Sequence, residues 1–272
     1  MTNNPRKEGF EMMHKPFLKK LGLIVVVVAL VLSASQSACE TGEHVFEASF
    51  VRTQYSDDDW NLMFYDNCGM PKSDSVRWIE KGNNKFIRFQ LGDKDYGNCG
   101  SDRRARHGAP YWERAELKQT TGLNRNLKYE LEFTVRFVEG YAGSREDFWQ
   151  LHATNRNCNI GPPIMIKFDD GFLTLSSKRE DGGSNKRTSS VKIDNLIGKW
   201  SNVKMKFDTS GNSEVSLSLD DKEVFSNIPY WVEPCGIPHF KFGIYRPGNK
   251  YKKNNRSVVD FDKIKLTEIK ND

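Results

Sequence analysis

The sequence predicts an all-β sandwich, and three observations carry that prediction. Short alternating apolar and polar segments recur from about Glu43 onward, clusters of Gly, Asn, Asp and Ser separate them, and no stretch sustains helical periodicity. Tyr129, Leu131, Phe133, Val135 and Phe137 fall on one side of a strand, with Glu130, Glu132, Thr134 and Arg136 on the other. Ile164, Ile166 and Phe168 repeat the pattern, as do Val203, Met205 and Phe207, and then Val215, Leu217 and Leu219. Asp220-Asp221 reads as a hairpin turn joining Leu219 to Val224. Half-buried antiparallel strands need a second sheet over their apolar faces, so two antiparallel sheets packed as a sandwich or jelly roll are expected.

Taken in chain order, residues 1–39 read as a leader. Lys15, Lys19 and Lys20 precede an unbroken apolar run from Leu21 to Leu32, followed by Ser33, Ala34, Ser35, Ser37 and Ala38. That run is shorter than the roughly 20 residues a membrane-spanning helix needs. It suits a signal sequence, with an uncleaved anchor as the alternative. Cys39 stands where a bacterial lipoprotein carries its lipid, although Gln36 occupies a position usually held by Leu, so cleavage near Ser37 or Ala38 is equally compatible. The expected protein is exported, periplasmic or secreted, and touches a membrane only through a lipid at Cys39.

In an oxidising compartment Cys68, Cys99, Cys158 and Cys235 are free to pair. Cys68 with Cys99 and Cys158 with Cys235 is the expected pairing, from the proximity of the first two. No two of these cysteines have the two-to-four-residue spacing that favours zinc. Residues 40–272 are expected to form one jelly-roll domain acting as a monomer. Two segments read as long loops, Asp93–Pro110 and Lys178–Ser190; the second has the composition of a flap over a groove. Asp57-Asp58-Asp59 offers oxygens to a structural Ca²⁺, with a solvated turn as the plainer reading.

Of the 41 Lys and Arg and 36 Asp and Glu, five and two fall within residues 1–39, which leaves 36 against 34. The mature chain is therefore nearly neutral. Bulk attraction to nucleic acid is not expected, and anion binding must come from local arrangement.

Three segments set unusual polar residues opposite an apolar face. Arg114, Glu116 and Lys118 share one face while Ala115 and Leu117 lie opposite; Gln150 and His152 lie opposite Trp149 and Leu151; Lys241, Gly243 and Tyr245 lie opposite Phe240, Phe242 and Ile244. Each pattern alone suits an ordinary exposed face. If the strands are neighbours, one sheet presents a guanidinium, an amide, an imidazole and a phenol together.

These residues also resemble a known group. Arg114-Ala115-Glu116-Leu117 is similar to the Arg-x-Glu-Leu segment of the jelly-roll polysaccharide lyases, the alginate, glucuronan and heparin lyase-like families. Gln150-Leu151-His152 resembles their Gln-x-His segment, and Phe240-Lys241-Phe242-Gly243-Ile244-Tyr245 resembles their Tyr-Phe-Lys-x-Gly-x-Tyr strand, with His239 in place of the first Tyr. The resemblance runs in the same order from roughly Asp93 to the C-terminus. It implies a concanavalin-like jelly roll with a concave groove for an acidic polysaccharide, and cleavage of a 4-linked uronic-acid polymer by β-elimination.

Under that resemblance Arg114 and Gln150 stabilise the charge that develops on the uronate carboxylate, His152 acts as base and Tyr245 as acid. Glu116, Lys118, Lys241 and Arg246 are the expected substrate-binding residues, with Glu116 orienting Arg114. No metal or other cofactor is required by this chemistry. A glycoside hydrolase would need two carboxyl groups about 5–10 Å apart across a groove, and no strand offers them. A lectin-like sandwich that binds sugar without chemistry is the stronger alternative.

Overall fold

The computed structural model describes residues 54–57, 60–105, 111–141, 145–154, 161–179, 187–248 and 256–270. Arg52–Asp272 forms one compact unit. The leader with Cys39, together with Asp58, Asp59, Cys158 and residues 180–186, lies outside the described residues, and so do the expectations placed on them.

The described residues form two antiparallel sheets, their strands numbered in chain order. The first runs β1 (Gln54–Tyr55), β2 (Phe64–Asp66), β5 (Trp112–Gln119), β14 (Ile237–Pro247), β7 (Glu146–Thr154), β8 (Ile164–Asp169), β9 (Phe172–Ser177) and β10 (Arg187–Lys192). The second runs β13 (Lys222–Trp231), β12 (Asn212–Leu219), β11 (Ser201–Asp208), β6 (Lys128–Phe137), β15 (Ser257–Ile269), β4 (Asn84–Leu91) and β3 (Val76–Lys81). This is the jelly-roll sandwich the alternation predicts.

Alternation decides the packing. In β6 the five aromatic and aliphatic residues from Tyr129 to Phe137 are buried and the four polar ones between them are half-buried. Asp220 and Asp221 both take positive φ (49° and 64°), as a two-residue hairpin loop between Leu219 and Lys222 requires. The expected hairpin resumes at Val224; the strand in fact starts two residues earlier, at Lys222. The expected loop at Lys178–Ser190 also differs. Its last residues, Arg187 to Ser190, belong to β10 and pair with β9, because Thr188 and Ser190 extend the sheet edge as readily as they fill a loop.

The inner face of β14 anchors the core. Phe242 lies edge-on against Phe64 (4.8 Å between ring centroids), Phe89 (5.4 Å) and Trp60 (6.3 Å), and meets Phe261 at 5.0 Å. Phe240 stacks with Trp149 at 6.1 Å. Next to Phe242, Gly243 takes φ +134°, and a Cβ there would stand 2.2 Å from the Ala115 carbonyl oxygen. Only glycine allows β14 to approach β5 so closely. The register against β7 shifts at this point, between Phe242 and Tyr245, as in a β-bulge.

Cys68 and Cys99 are disulfide-bonded with 5.0 Å between their Cα atoms, as expected. Cys235 is also disulfide-bonded. Asp57 pairs with Lys85 at 3.1 Å. Among the described residues no group of three His, Cys, Asp or Glu is arranged to hold a metal ion.

Because Phe242 supports the strand that carries much of the polar outer face, its truncation should be costly. Phe242→Ala is expected to destabilise the fold by about 3–5 kcal/mol. Denaturant unfolding monitored by tryptophan fluorescence measures this; a loss under about 1 kcal/mol would show that β14 is not anchored by this ring.

Candidate active site

The three strands singled out by their polar faces are neighbours, in the order β5, β14, β7. Lys241 is paired with Lys118 on one side and Gln150 on the other, Gly243 with Glu116, Tyr245 with Arg114, and His239 with His152. Directly paired residues project to the same side of a sheet. Arg114, Glu116, Lys118, Gln150, His152, His239, Lys241 and Tyr245 therefore share the outer face of the first sheet. That face is not open surface: Arg114, Glu116, Gln150, His239 and Tyr245 are all buried. Part of the cover is the chain from Gly92 to Ala105, whose Asp102 lies against Arg114 with no exposure.

A continuous line of contacts crosses the three strands. Arg114 donates from Nε to Asp102 Oδ2 (2.8 Å) and from Nη2 to Asp102 Oδ1 (2.9 Å), a bidentate pair. Its Nη1 donates to Glu116 Oε2. Gln150 Nε2 donates to the other oxygen, Glu116 Oε1 (2.5 Å), and Gln150 Oε1 faces His152 Nε2 at 3.0 Å. At the opposite end the guanidinium carbon lies 4.1 Å from the centre of the Tyr245 ring, which stacks on Trp112 at 4.9 Å. Along the backbone, Tyr245 pairs with Asp147 and His152 with His239. His152 and Asp147 are five residues apart on β7, about 17 Å of strand. The contact line spans that interval.

The hydrogen bonds fix a tautomer. A carboxylate only accepts, so Gln150 must turn its amide nitrogen to Glu116 and its oxygen to His152. His152 Nε2 then carries the proton and Nδ1 the lone pair; Nδ1 is buried and has no hydrogen-bond partner. The imidazole is held well below its ordinary pKa of 6.5, chiefly by burial, and further by Lys241, His239, Arg114 and Lys118. His239 stacks on it with 5.7 Å between centroids. His239 Nδ1 donates to the Ile237 carbonyl (3.0 Å), its Nε2 is buried without a partner, and its pKa is pushed down to about 3, first by burial. Both rings are neutral bases at neutral pH.

Arg246 departs from expectation. Its side chain points between the sheets and is fully buried, donating from Nε to Glu113 (2.6 Å) and from Nη1 to Glu146 (2.8 Å) and Ser257 (2.7 Å). Strand alternation puts it on the side opposite Tyr245, where it ties β14, β5 and β7 to β15. It cannot reach a polysaccharide on the outer face. Lys118 is half-buried, with its ammonium 5.8 Å from the Tyr65 ring.

Two partners on this face escaped sequence reasoning. One is Asp102. The other is Asn67: with its amide turned so that both ends are satisfied, its oxygen accepts from Arg114 Nη1 (2.9 Å) and Lys241 Nζ (3.3 Å). Asn67 adjoins Cys68, and Asp102 follows Cys99 by three residues. The disulfide thus draws both loops onto Arg114, and the cysteine spacing was the one signal that could have pointed to them.

Comparison with known proteins agrees with this architecture. A polysaccharide lyase family model matches residues 69–265. Among solved structures, alginate lyase A1-II′ is similar with a TM-score of 0.53 at 13% identity, covering 73% of this chain and 85% of that one. The endo-β-1,4-glucuronan lyase of the fungus Trichoderma reesei gives 0.52 at 13% identity, covering 73% and 89%. An alginate lyase of Pseudomonas aeruginosa gives 0.51 at 17% identity, covering 73% and 87%. A comparison with curated proteins gave no match. At such identities the structural likeness is one of fold, a jelly roll, whereas the family model spans well over half of the sequence and all three polar strands; the chain belongs to the polysaccharide lyase family.

Proposed function

We propose that this polysaccharide lyase cleaves a 4-linked, uronic-acid-containing polymer by β-elimination on the outer face of the first sheet. The observation that carries the proposal is the contact line from Tyr245 through Arg114, Glu116 and Gln150 to His152. It joins a neutral base, a phenol and an ordered set of charges across three strands.

Elimination begins at the C5 proton, which is weakly acidic because the adjacent carboxylate is already negative. His152 takes that proton. Its Nδ1 carries a lone pair and no proton because Gln150 holds the proton on the other nitrogen, and its neutral state persists because burial and neighbouring cations oppose protonation. The electrons of the C5–H bond form the C4–C5 double bond, the C4–O4 bond breaks, and O4 receives a proton from the Tyr245 hydroxyl. Side chains carry each of these transfers, and no cofactor is invoked. Glu116 orients Arg114 and Gln150 and moves no proton.

The site of action is proposed to be outside the cytoplasm, as an exported monomer with or without lipid at Cys39. The Cys68–Cys99 disulfide supports an oxidising compartment.

Incubation with alginate, glucuronan, heparin and related polymers should produce unsaturated chain ends, read by their ultraviolet absorbance. No such rise with any of them would leave the non-catalytic sugar-binding module as the better account. His152→Ala is expected to lower kcat by roughly 10²–10⁴-fold, and Tyr245→Phe by a similar factor. Affinity for an oligouronate, measured by calorimetry, should change by only a few fold in both; loss of binding in parallel with turnover would assign these residues to recognition.

The pH profile gives a separate check. Because the His152 imidazole titrates well below 6.5, kcat/KM should show no acid fall as pH drops from 7 through 6, with its acid limb beyond that range. A limb centred at 6.5 would mean that the base is an unperturbed histidine or another group.

A further inference from the structure

The resemblance gives Arg114 the task of gripping the uronate carboxylate, and the geometry around Arg114 argues against it. A carboxylate is gripped through two parallel N–H donors of a guanidinium. In this protein the Nε and Nη2 edge is already committed to Asp102 in that geometry, Nη1 is committed to Glu116 and Asn67, and Tyr245 covers one face of the plane. A substrate carboxylate could take that edge only by expelling a fully buried Asp102.

Two other cations share the face. Lys241 lies in register between Lys118 and Gln150. Among the described residues neither Lys241 nor Lys118 has a carboxylate within ion-pair distance; the Lys241 ammonium meets the Asn67 amide oxygen, and that of Lys118 a tyrosine ring. The charges clustered where β5, β14 and β7 meet do not balance once Lys241 is protonated. Arg114, Lys118, Lys241 and Lys167 stand against Asp102, Glu116 and Asp147, with both imidazoles neutral. One positive charge is in excess, and it lies beside the Gln150–His152 pair where the C5 proton must be taken. One uronate carboxylate would cancel it.

Building on the lyase reading, we infer that Lys241, assisted by Lys118, holds the carboxylate of the uronate undergoing elimination, and that Arg114 is a positioning residue acting through Glu116 and Gln150. Lys241 is surrounded by Arg114, Glu116 and Lys118 on β5, Gln150 and His152 on β7, His239 on its own strand, and Asn67 and Asp102 from the loops. Its ammonium is pulled down to about 7, mostly by burial, with Arg114 and Lys118 adding to the effect and Glu116 and Asp102 opposing it. A bound carboxylate restores the missing negative partner and favours the protonated form. The required form is the protonated one, so free enzyme loses affinity for substrate as pH rises through about 7.

The test compares a uronate oligosaccharide with its carboxyl methyl ester, by kcat/KM and by calorimetric affinity. The proteins are wild type, Lys241→Met, Lys241→Arg, Lys118→Met and Asp102→Asn. Lys241→Met should lose the preference for the free acid by roughly 10- to 100-fold, with a rise in KM that exceeds the fall in kcat. Lys118→Met, at a half-buried position with little packing to lose, should lose a smaller part of it. Lys241→Arg should keep the preference and remove the alkaline fall in kcat/KM. Asp102→Asn should lower kcat with the preference retained.

Unchanged preference in both lysine variants, or a loss of preference in Asp102→Asn alone, would return the carboxylate to Arg114 and overturn the assignment. The binding measurement stands without turnover. A wild type that binds the free acid tightly but yields no unsaturated ends would defeat the lyase reading while still testing the lysines. A wild type that binds neither form would defeat both.

Discussion

The buried pairing of Arg114 with Asp102 and Glu116 is the constraint on which the rest of the site depends. Three charges without appreciable exposure are tolerated only when each satisfies the others, since removing one partner of a buried pair typically costs about 3–5 kcal/mol. That demand fixes the Glu116 carboxylate, which fixes the Gln150 amide, which fixes the proton on His152. On the other side it fixes the plane on which Tyr245 rests. A single guanidinium thus sets the orientation of both groups proposed to move protons, without any need to touch the substrate.

The sandwich supplies the rigidity that such a network needs. β14 is pinned from within by Phe240, Phe242 and Ile244, all essentially without exposure, and by Arg246 bound to Glu113, Glu146 and Ser257. Gly243 allows the close approach to β5, and the register shift beside it keeps Tyr245 facing outward together with Asp147. The Cys68–Cys99 disulfide ties down the two loops that bring Asn67 and Asp102 to Arg114. Core packing, one glycine and one disulfide therefore converge on the same few polar atoms. Where β5, β14 and β7 meet, the electrostatic outcome is a pair of neutral imidazoles beside lysines that have no carboxylate partner among the described residues, a combination suited to an anionic substrate that must lose a proton.

Much of this was legible in the chain. Period-two alternation assigned Tyr129–Phe137 and the three polar strands to their faces, because a strand has only two sides and burial leaves no choice between them. The grouping of Arg114, Glu116, Lys118, Gln150, His152, Lys241 and Tyr245 followed from that rule once the strands proved adjacent. Arg246 shows where the rule must be applied to every residue in turn. Its place next to Tyr245 suggests a substrate contact, yet that same alternation sends it inward, to buried carboxylates. Asp102 and Asn67 were missed because loop residues have no periodicity to read.

The sequence by itself determined the sheet-on-sheet architecture, the face on which each strand residue would lie and the chemical types available there. These are local properties, set by side-chain alternation and turn residues. Only the tertiary structure decided which strands are neighbours, that Asp102 and Glu116 occupy Arg114 while Lys241 and Lys118 lack such partners among the described residues, and which nitrogen of His152 bears the proton. Those outcomes depend on which strands and loops meet in space, as when Gln150 reaches Glu116 across 34 positions and the Asp102 loop folds back onto Arg114, and on the removal of water that makes each buried charge select its partner.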